Sequence, residues 1–293
     1  MMAEIDDVRS LLSGRPRPVG WTERRARIEE VAAVDPPPEG VTFTPATIAG
    51  VPAEWSVASD ADPRRVLLFL HGGGYCSGSI VSHRNLASRS GQAAGMRCLA
   101  LQYRLAPEHP FPAALEDARG VYEALLDQGF APGDIVVGGD SAGGGLTLAL
   151  MVALRDAGRP LPGCAWLISP WIDLAMTGAT IDCKDAVDPL IHRAYLEDLS
   201  EAYRGGRPAE DPLISPLHAD LVGLPPVLVQ VGSAEALLDD AVRIAGRLGA
   251  ADVPVRLEVW PAMIHAWMLW AARLADGRRA LAAAGDFLRR RGI

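Results

Sequence analysis

Ser141 lies in Gly139-Asp140-Ser141-Ala142-Gly143, a Gly-x-Ser-x-Gly run that follows the apolar Ile135-Val136-Val137. A serine hydroxyl becomes a competent nucleophile when a nearby base takes its proton and fixed donors await the charge on an acyl oxygen. Between a strand and a helix, this run is the nucleophile elbow: the serine occupies a sharp, strained turn, and the flanking glycines avoid a collision with neighbouring backbone. The turn also sets the hydroxyl at a helix N-terminus, where partial positive charge favours a developing anion. Phosphate binding is a poor alternative, because no Lys-Ser/Thr follows the glycines and the G-x-G-x-x-G spacing is absent. A glycine turn used only for packing is the remaining competitor.

Three further groups of residues favour chemistry over packing. His71-Gly72-Gly73-Gly74 directly follows the run Val66–Leu70. Successive glycines let backbone N–H groups approach an acyl oxygen, so Gly73 and Gly74, with Ala142 after the nucleophile, are assigned as the oxyanion hole. His71 is read as an orienting residue rather than a base. On a serine-hydrolase elbow the acid and then the base follow in chain order. Val231-Gly232-Ser233-Ala234-Glu235 places Glu235 in the turn after a strand. Asp239 and Asp240 fall a turn into the next helix and rank behind it. His265 is the one histidine beyond that strand, and it is assigned as the base that Glu235 orients. Cys76 lies close enough to the glycines that its alkylation is expected to inhibit.

These residues need a scaffold that holds strand ends in register. Short apolar runs recur at Val66–Leu70, Met96–Tyr103, Asp134–Val137, Cys164–Ile168, Pro226–Val231 and Val255–Val259. Helical patterns lie between and after them at Ser82–Ala94, Pro112–Gln128, Ala142–Asp156, Leu237–Leu248 and Arg273–Arg290. Continuous apolar strands alternating with helices predict a mostly parallel sheet covered on both faces. Ahead of it stand two helical patterns, Ile5–Leu12 and Trp21–Val31, split by Arg15-Pro16-Arg17-Pro18, and two β-like runs, Val41–Ile48 and Ala53–Ala58. The interval between the strands at Cys164 and Pro226 is too long for a simple connection. Within it, Pro189–Tyr203 reads as a helix capped by Asp188 and stopped by Gly205. The chain therefore divides into N-terminal cap helices (1–40), a core (41–170), a cap insertion (171–220) and the rest of the core (221–293).

Composition narrows the partners. The chain has 293 residues, 49% hydrophobic and 22% charged, with a formal net charge of -8. That suits one large core and argues against a nucleic-acid surface, which needs a basic stripe. Lys184 is the sole lysine among 28 basic residues, and the arginines are scattered. The acidic start lacks the apolar core of a signal peptide, and no run suits a membrane span. A cytoplasmic location is expected. Cys76, Cys98, Cys164 and Cys183 form no C-x-x-C pair, and the six histidines lack metal-ligand spacing. Neither metal nor cofactor is expected.

With these residues in place, the chain resembles the hormone-sensitive-lipase family of α/β-hydrolases, in its bacterial carboxylesterase branch. The resemblance rests on His71–Gly74, on Tyr103-Arg104-Leu105-Ala106-Pro107-Glu108-His109-Pro110-Phe111-Pro112-Ala113-Ala114, and on Gly139–Gly144. Ser169-Pro170-Trp171 and Asp211-Pro212-Leu213-Ile214-Ser215-Pro216 add to it. It implies an α/β-hydrolase fold with a small helical cap and hydrolysis of short-chain, small-molecule acyl esters without cofactor. It also implies a homodimer through the edge strand, here Val255–Val259. Two departures stand out. The family's D-x-L-x-D acid segment is Glu235-x-Leu237-x-Asp239 here, and the glycine after the histidine is Ala266, followed by Trp267, expected to narrow the pocket. A lactonase, deacetylase or amidase would use the same machinery. A non-catalytic receptor on this fold would be expected to lack part of it.

Overall fold

The computed structural model describes residues 2–14, 18 and 20–290; the breaker residues Arg15, Pro16 and Arg17 lie outside them. Among the described residues the strands are β1 (Val41–Ile48), β2 (Val51–Ala58), β3 (Asp62–Leu70), β4 (Met96–Leu101), β5 (Ile135–Asp140), β6 (Cys164–Ile168), β7 (Val227–Gly232) and β8 (Val255–Trp260). They form one sheet in the order β1-β2-β4-β3-β5-β6-β7-β8. Strand β2 runs antiparallel to both of its neighbours, and β3 to β8 are mutually parallel.

The α-helices among the described residues are α1 (Met2–Ser13), α2 (Trp21–Ala32), α3 (Ile80–Ala94), α4 (Ala113–Asp127), α5 (Ala142–Asp156), α6 (Thr180–Cys183), α7 (Arg193–Arg204), α8 (Leu238–Ala250) and α9 (Ala275–Arg290). The period-two side-chain alternation of a strand explains the apolar runs. Val66, Leu68 and Leu70 of β3 pack with α4 and α5, while Leu67 and Phe69 pack with α3, α9 and Ile5 and Val8 of α1. Both faces are buried, so nearly every position of the central strands must be apolar. The chain thus has the α/β-hydrolase architecture expected of it.

Register aligns the strand ends that matter. Asp140 pairs with Ile168, Ile168 with Gln230, and Gly232 with Trp260. The residues that follow, Ser141, Ser169 and the turn ending at Glu235, therefore leave the sheet at one level.

Helix α7 differs from expectation. It starts at Arg193, capped by the ring of His192, which accepts the N–H of Tyr195 at 3.3 Å, and it stops at a left-handed Gly205. The Asp188 carboxylate instead accepts the N–H groups of Leu190 and Ile191 in a local turn and that of the distant Ala236. Asp188 is thereby committed elsewhere, and the chain passes through a bend at Pro189–Leu190 before the helix begins after His192. Helix α2 packs on α7 through Arg24, which pairs with Asp198 at 2.7 Å and lies between the rings of Trp21 and Tyr195.

Candidate active site

Ser141 occupies the turn between β5 and α5 with φ 54° and ψ −119°, a conformation that costs a non-glycine residue energy and persists only when surroundings enforce it. The enforcement is visible. A Cβ on Gly139 would lie 2.2 Å from the Leu70 carbonyl oxygen, and one on Gly143 would lie 1.9 Å from the same atom. Only glycines let β5 and α5 close against the end of β3. The Ser141 N–H donates to the Ile168 carbonyl, and its carbonyl accepts the Trp171 N–H.

The glycine loop after β3 is aimed by its carbonyls. His71 Nδ1 lies 2.8 Å from the Gly72 carbonyl oxygen, and the Gly73 carbonyl accepts Cys76 N–H, Ser77 N–H and the Ser77 hydroxyl. In a trans peptide the N–H opposes the preceding C=O, so the N–H groups of Gly73 and Gly74 point away from these bonds. Ala142 begins α5, where an N–H has no intrahelical acceptor. His71 is stacked on Tyr103 at 4.2 Å, and the Tyr103 hydroxyl donates to the His71 carbonyl. Burial, with His83 nearby, pushes the His71 ring down to about 3, so it is neutral and acts as a fixed donor. Cys76 is fully buried and its thiol is pushed up to about 12 by burial. A buried neutral thiol is inert, so Cys76 does not offer the alkylation site that its sequence position suggests.

Sequence reasoning missed the support beneath this loop. Asp140 accepts the Gly72 N–H at 3.0 Å and lies 3.3 Å from His83 Nε2. Burial opposes its ionisation, yet the charge and hydrogen bond of His83, with His265 beyond it, hold its carboxyl below the usual range. The one signal available was a carboxylate next to Ser141; its partner stands 57 residues away.

On the other side of Ser141, Glu235 Oε1 and His265 Nδ1 lie 3.5 Å apart, both buried, and neither has another hydrogen-bond partner. The separation exceeds a formed hydrogen bond, but a donor and an acceptor facing each other with no other recourse need only a small rotation to meet. Such bonds are often loose before substrate arrives. Glu235 Oε2 is fixed by the Gly232 N–H at 2.9 Å and the Ser169 hydroxyl at 2.8 Å. Ser169 in turn accepts the Ala266 N–H at 3.0 Å, so one buried hydroxyl ties the carboxylate to the residue after the histidine. Burial raises the Glu235 carboxyl. Burial also lowers His265, but Glu235, Asp188 and Asp140 outweigh it and leave the imidazole above its ordinary value.

Asp239 and Asp240 are not brought to His265. Asp239 accepts the N–H groups of Ala179 and Thr180, and Asp240 those of Ile172 and Asp173. Trp267 does not narrow the pocket: it is fully buried in the core between the sheet, α3 and α9, 6.0 Å from Trp260. Ala266 adopts the left-handed conformation, φ 49° and ψ 38°, which explains why glycine suits that position. Among the described residues no group of three or more His, Cys, Asp or Glu side chains is placed to hold a metal ion.

The fold and this elbow define an α/β-hydrolase, and the family model described as "alpha/beta hydrolase fold" matches residues 67–269. A crystal structure of an esterase from the bacterial hormone-sensitive lipase family superposes with a TM-score of 0.96 at 43% identity, covering 99% of this chain and 98% of that one. An acetyl-hydrolase of Streptomyces hygroscopicus is 49% identical over 243 residues, 83% of this chain and 81% of its own length. An esterase of Acinetobacter venetianus is 34% identical over 268 residues, 90% of this chain and 87% of its own. The chain belongs to the hormone-sensitive-lipase family and is a carboxylic ester hydrolase.

Proposed function

We propose that the protein hydrolyses short-chain acyl esters through an acyl-enzyme on Ser141. The observation that carries the reading is the buried Glu235–His265 pair, held beside the elbow by the Ser169 hydroxyl. In acylation the Ser141 Oγ attacks the ester carbonyl carbon as its proton passes to His265 Nε2. The carbonyl electron pair moves onto oxygen, where the N–H groups of Gly73, Gly74 and Ala142 receive it. Collapse expels the alkoxide, which takes the proton from His265. Water then repeats the sequence, releases the carboxylic acid and restores Ser141. Glu235 holds the proton-bearing Nδ1 and stabilises the imidazolium between transfers. The acetyl-hydrolase name of the Streptomyces relative supports a short acyl group.

We further propose that α2 and residues 171–220 form the cover over this site, supported by the Arg24 contacts to α7; α1 packs on the body instead. Among the described residues, strand β8 is one of the sheet's two edges, opposite β1, and exposes Leu257 and Val259, which supports a homodimer through that strand. No helix among the described residues is long and apolar enough to cross a membrane. A p-nitrophenyl ester series tests the reaction: acetate and butyrate are expected to turn over faster than palmitate. No turnover at any chain length, with lactones or anilides cleaved instead, sinks the esterase reading.

A further inference from the structure

Asp188 lies in the turn ahead of α7 and is buried. Its Oδ1 accepts the N–H groups of Leu190 at 2.9 Å and Ile191 at 3.0 Å. Its Oδ2 reaches the connection between β7 and α8 and accepts the N–H of Ala236 at 2.8 Å. A local turn needs only the first two bonds. The third spans 48 residues of sequence and ends on the residue that directly follows Glu235. A carboxylate fixed by three backbone donors is a rigid anchor.

We propose that Asp188 is a positioning residue for the acid–base pair, fixing the Glu235–Ala236 turn from the segment 171–220 and adding a second negative charge near the His265 imidazolium. The inference rests on the triad reading above. The charged groups that act on His265 are Glu235, Asp188 and Asp140. Asp140 is already shared with His83 at 3.3 Å. The Asp188 charge opposes that of Glu235, and a proton on His265 offsets that opposition. Imidazolium is what proton transfer from Ser141 creates, so the added carboxylate favours the transition state over the resting neutral ring. The segment 171–220 would then set the basicity of His265 as well as cover the site.

The test compares wild type with Asp188→Asn in p-nitrophenyl butyrate hydrolysis across the acid limb of the pH profile. Rates are expressed per Ser141 labelled by a fluorophosphonate, so unfolded protein does not count. Asp188→Asn is expected to lower kcat about tenfold, leave KM within about twofold, and move the acid limb about one pH unit lower, because an imidazole relieved of one nearby carboxylate protonates less readily. Asp188→Ser, smaller and uncharged, gives the same shift by a second route. An acid limb that stays in place in both variants, or a kcat within twofold of wild type, overturns the proposal. Ser141→Ala separates the two claims. Retained hydrolysis in Ser141→Ala overturns the triad itself, whereas loss of hydrolysis there beside an unmoved Asp188→Asn acid limb overturns only the role of Asp188.

Discussion

Replacing Ser169 by alanine removes one hydroxyl and two bonds. Its Oγ donates to Glu235 Oε2 at 2.8 Å and accepts the Ala266 N–H at 3.0 Å, with the residue fully buried. The bond to a carboxylate is worth about 1.5–3 kcal/mol, and a buried N–H left without an acceptor costs about 1–3 kcal/mol. The sum, about 2.5–6 kcal/mol, is smaller than most of the 5–15 kcal/mol range typical of native proteins, so the variant folds with a lower Tm. Catalysis loses more selectively. Glu235 keeps only the Gly232 N–H on that oxygen, and the turn carrying His265 loses its tie to the acid. A loss of about 1.4–2.8 kcal/mol at the transition state lowers kcat/KM about 10- to 100-fold. Steady-state hydrolysis of p-nitrophenyl butyrate and thermal unfolding by circular dichroism measure both. Activity within twofold of wild type at an unchanged Tm would show that neither bond supports the acid–base pair or the fold.

Three other perturbations follow from the same contacts. Asp140→Ala strands the buried Gly72 N–H and should lower kcat about tenfold or more by loosening the glycine loop proposed to receive the oxyanion; an unchanged kcat assigns Asp140 no part in holding that loop. Ala266→Gly relieves a left-handed alanine and should raise stability by about 1 kcal/mol, read as a higher denaturant midpoint; a lower midpoint contradicts it. Burial pushes the Asp240 carboxyl up to about 7 from 3.8, so ionising it in the folded state is penalised. That penalty is absent at pH below the unfolded value, grows as pH rises, and is complete above about 7. Asp240→Asn should therefore raise Tm relative to wild type at pH 8 more than at pH 5, and an equal effect at both would show that the carboxyl ionises freely.

How much of this was legible in the sequence depended on how local the constraint was. The elbow at Ser141 and the loop at Gly73 could be read because strain and close backbone approach demand glycine at fixed offsets. The sheet could be read because strands buried on both faces admit few polar residues. The segment before α7 could not: Asp188-Pro189 has the composition of a helix start, but the carboxylate's bond to Ala236 is set by tertiary structure. Ser169 and His83 were equally hidden, since a serine or a histidine acquires its meaning from partners 66 and 57 residues away. Trp267 was misread because the left-handed turn at Ala266, invisible in residue types, directs the following indole into the core.

Whether Ser141 carries the acyl group is decided by peptide mass spectrometry after inactivation with a fluorophosphonate. One phosphonyl adduct per chain is expected, on the peptide bearing Ser141, appearing in step with loss of esterase activity and absent from Ser141→Ala. Inactivation with Ser141 unmodified, or an adduct on another residue that tracks the loss of activity, would contradict the assignment of the acyl group to Ser141.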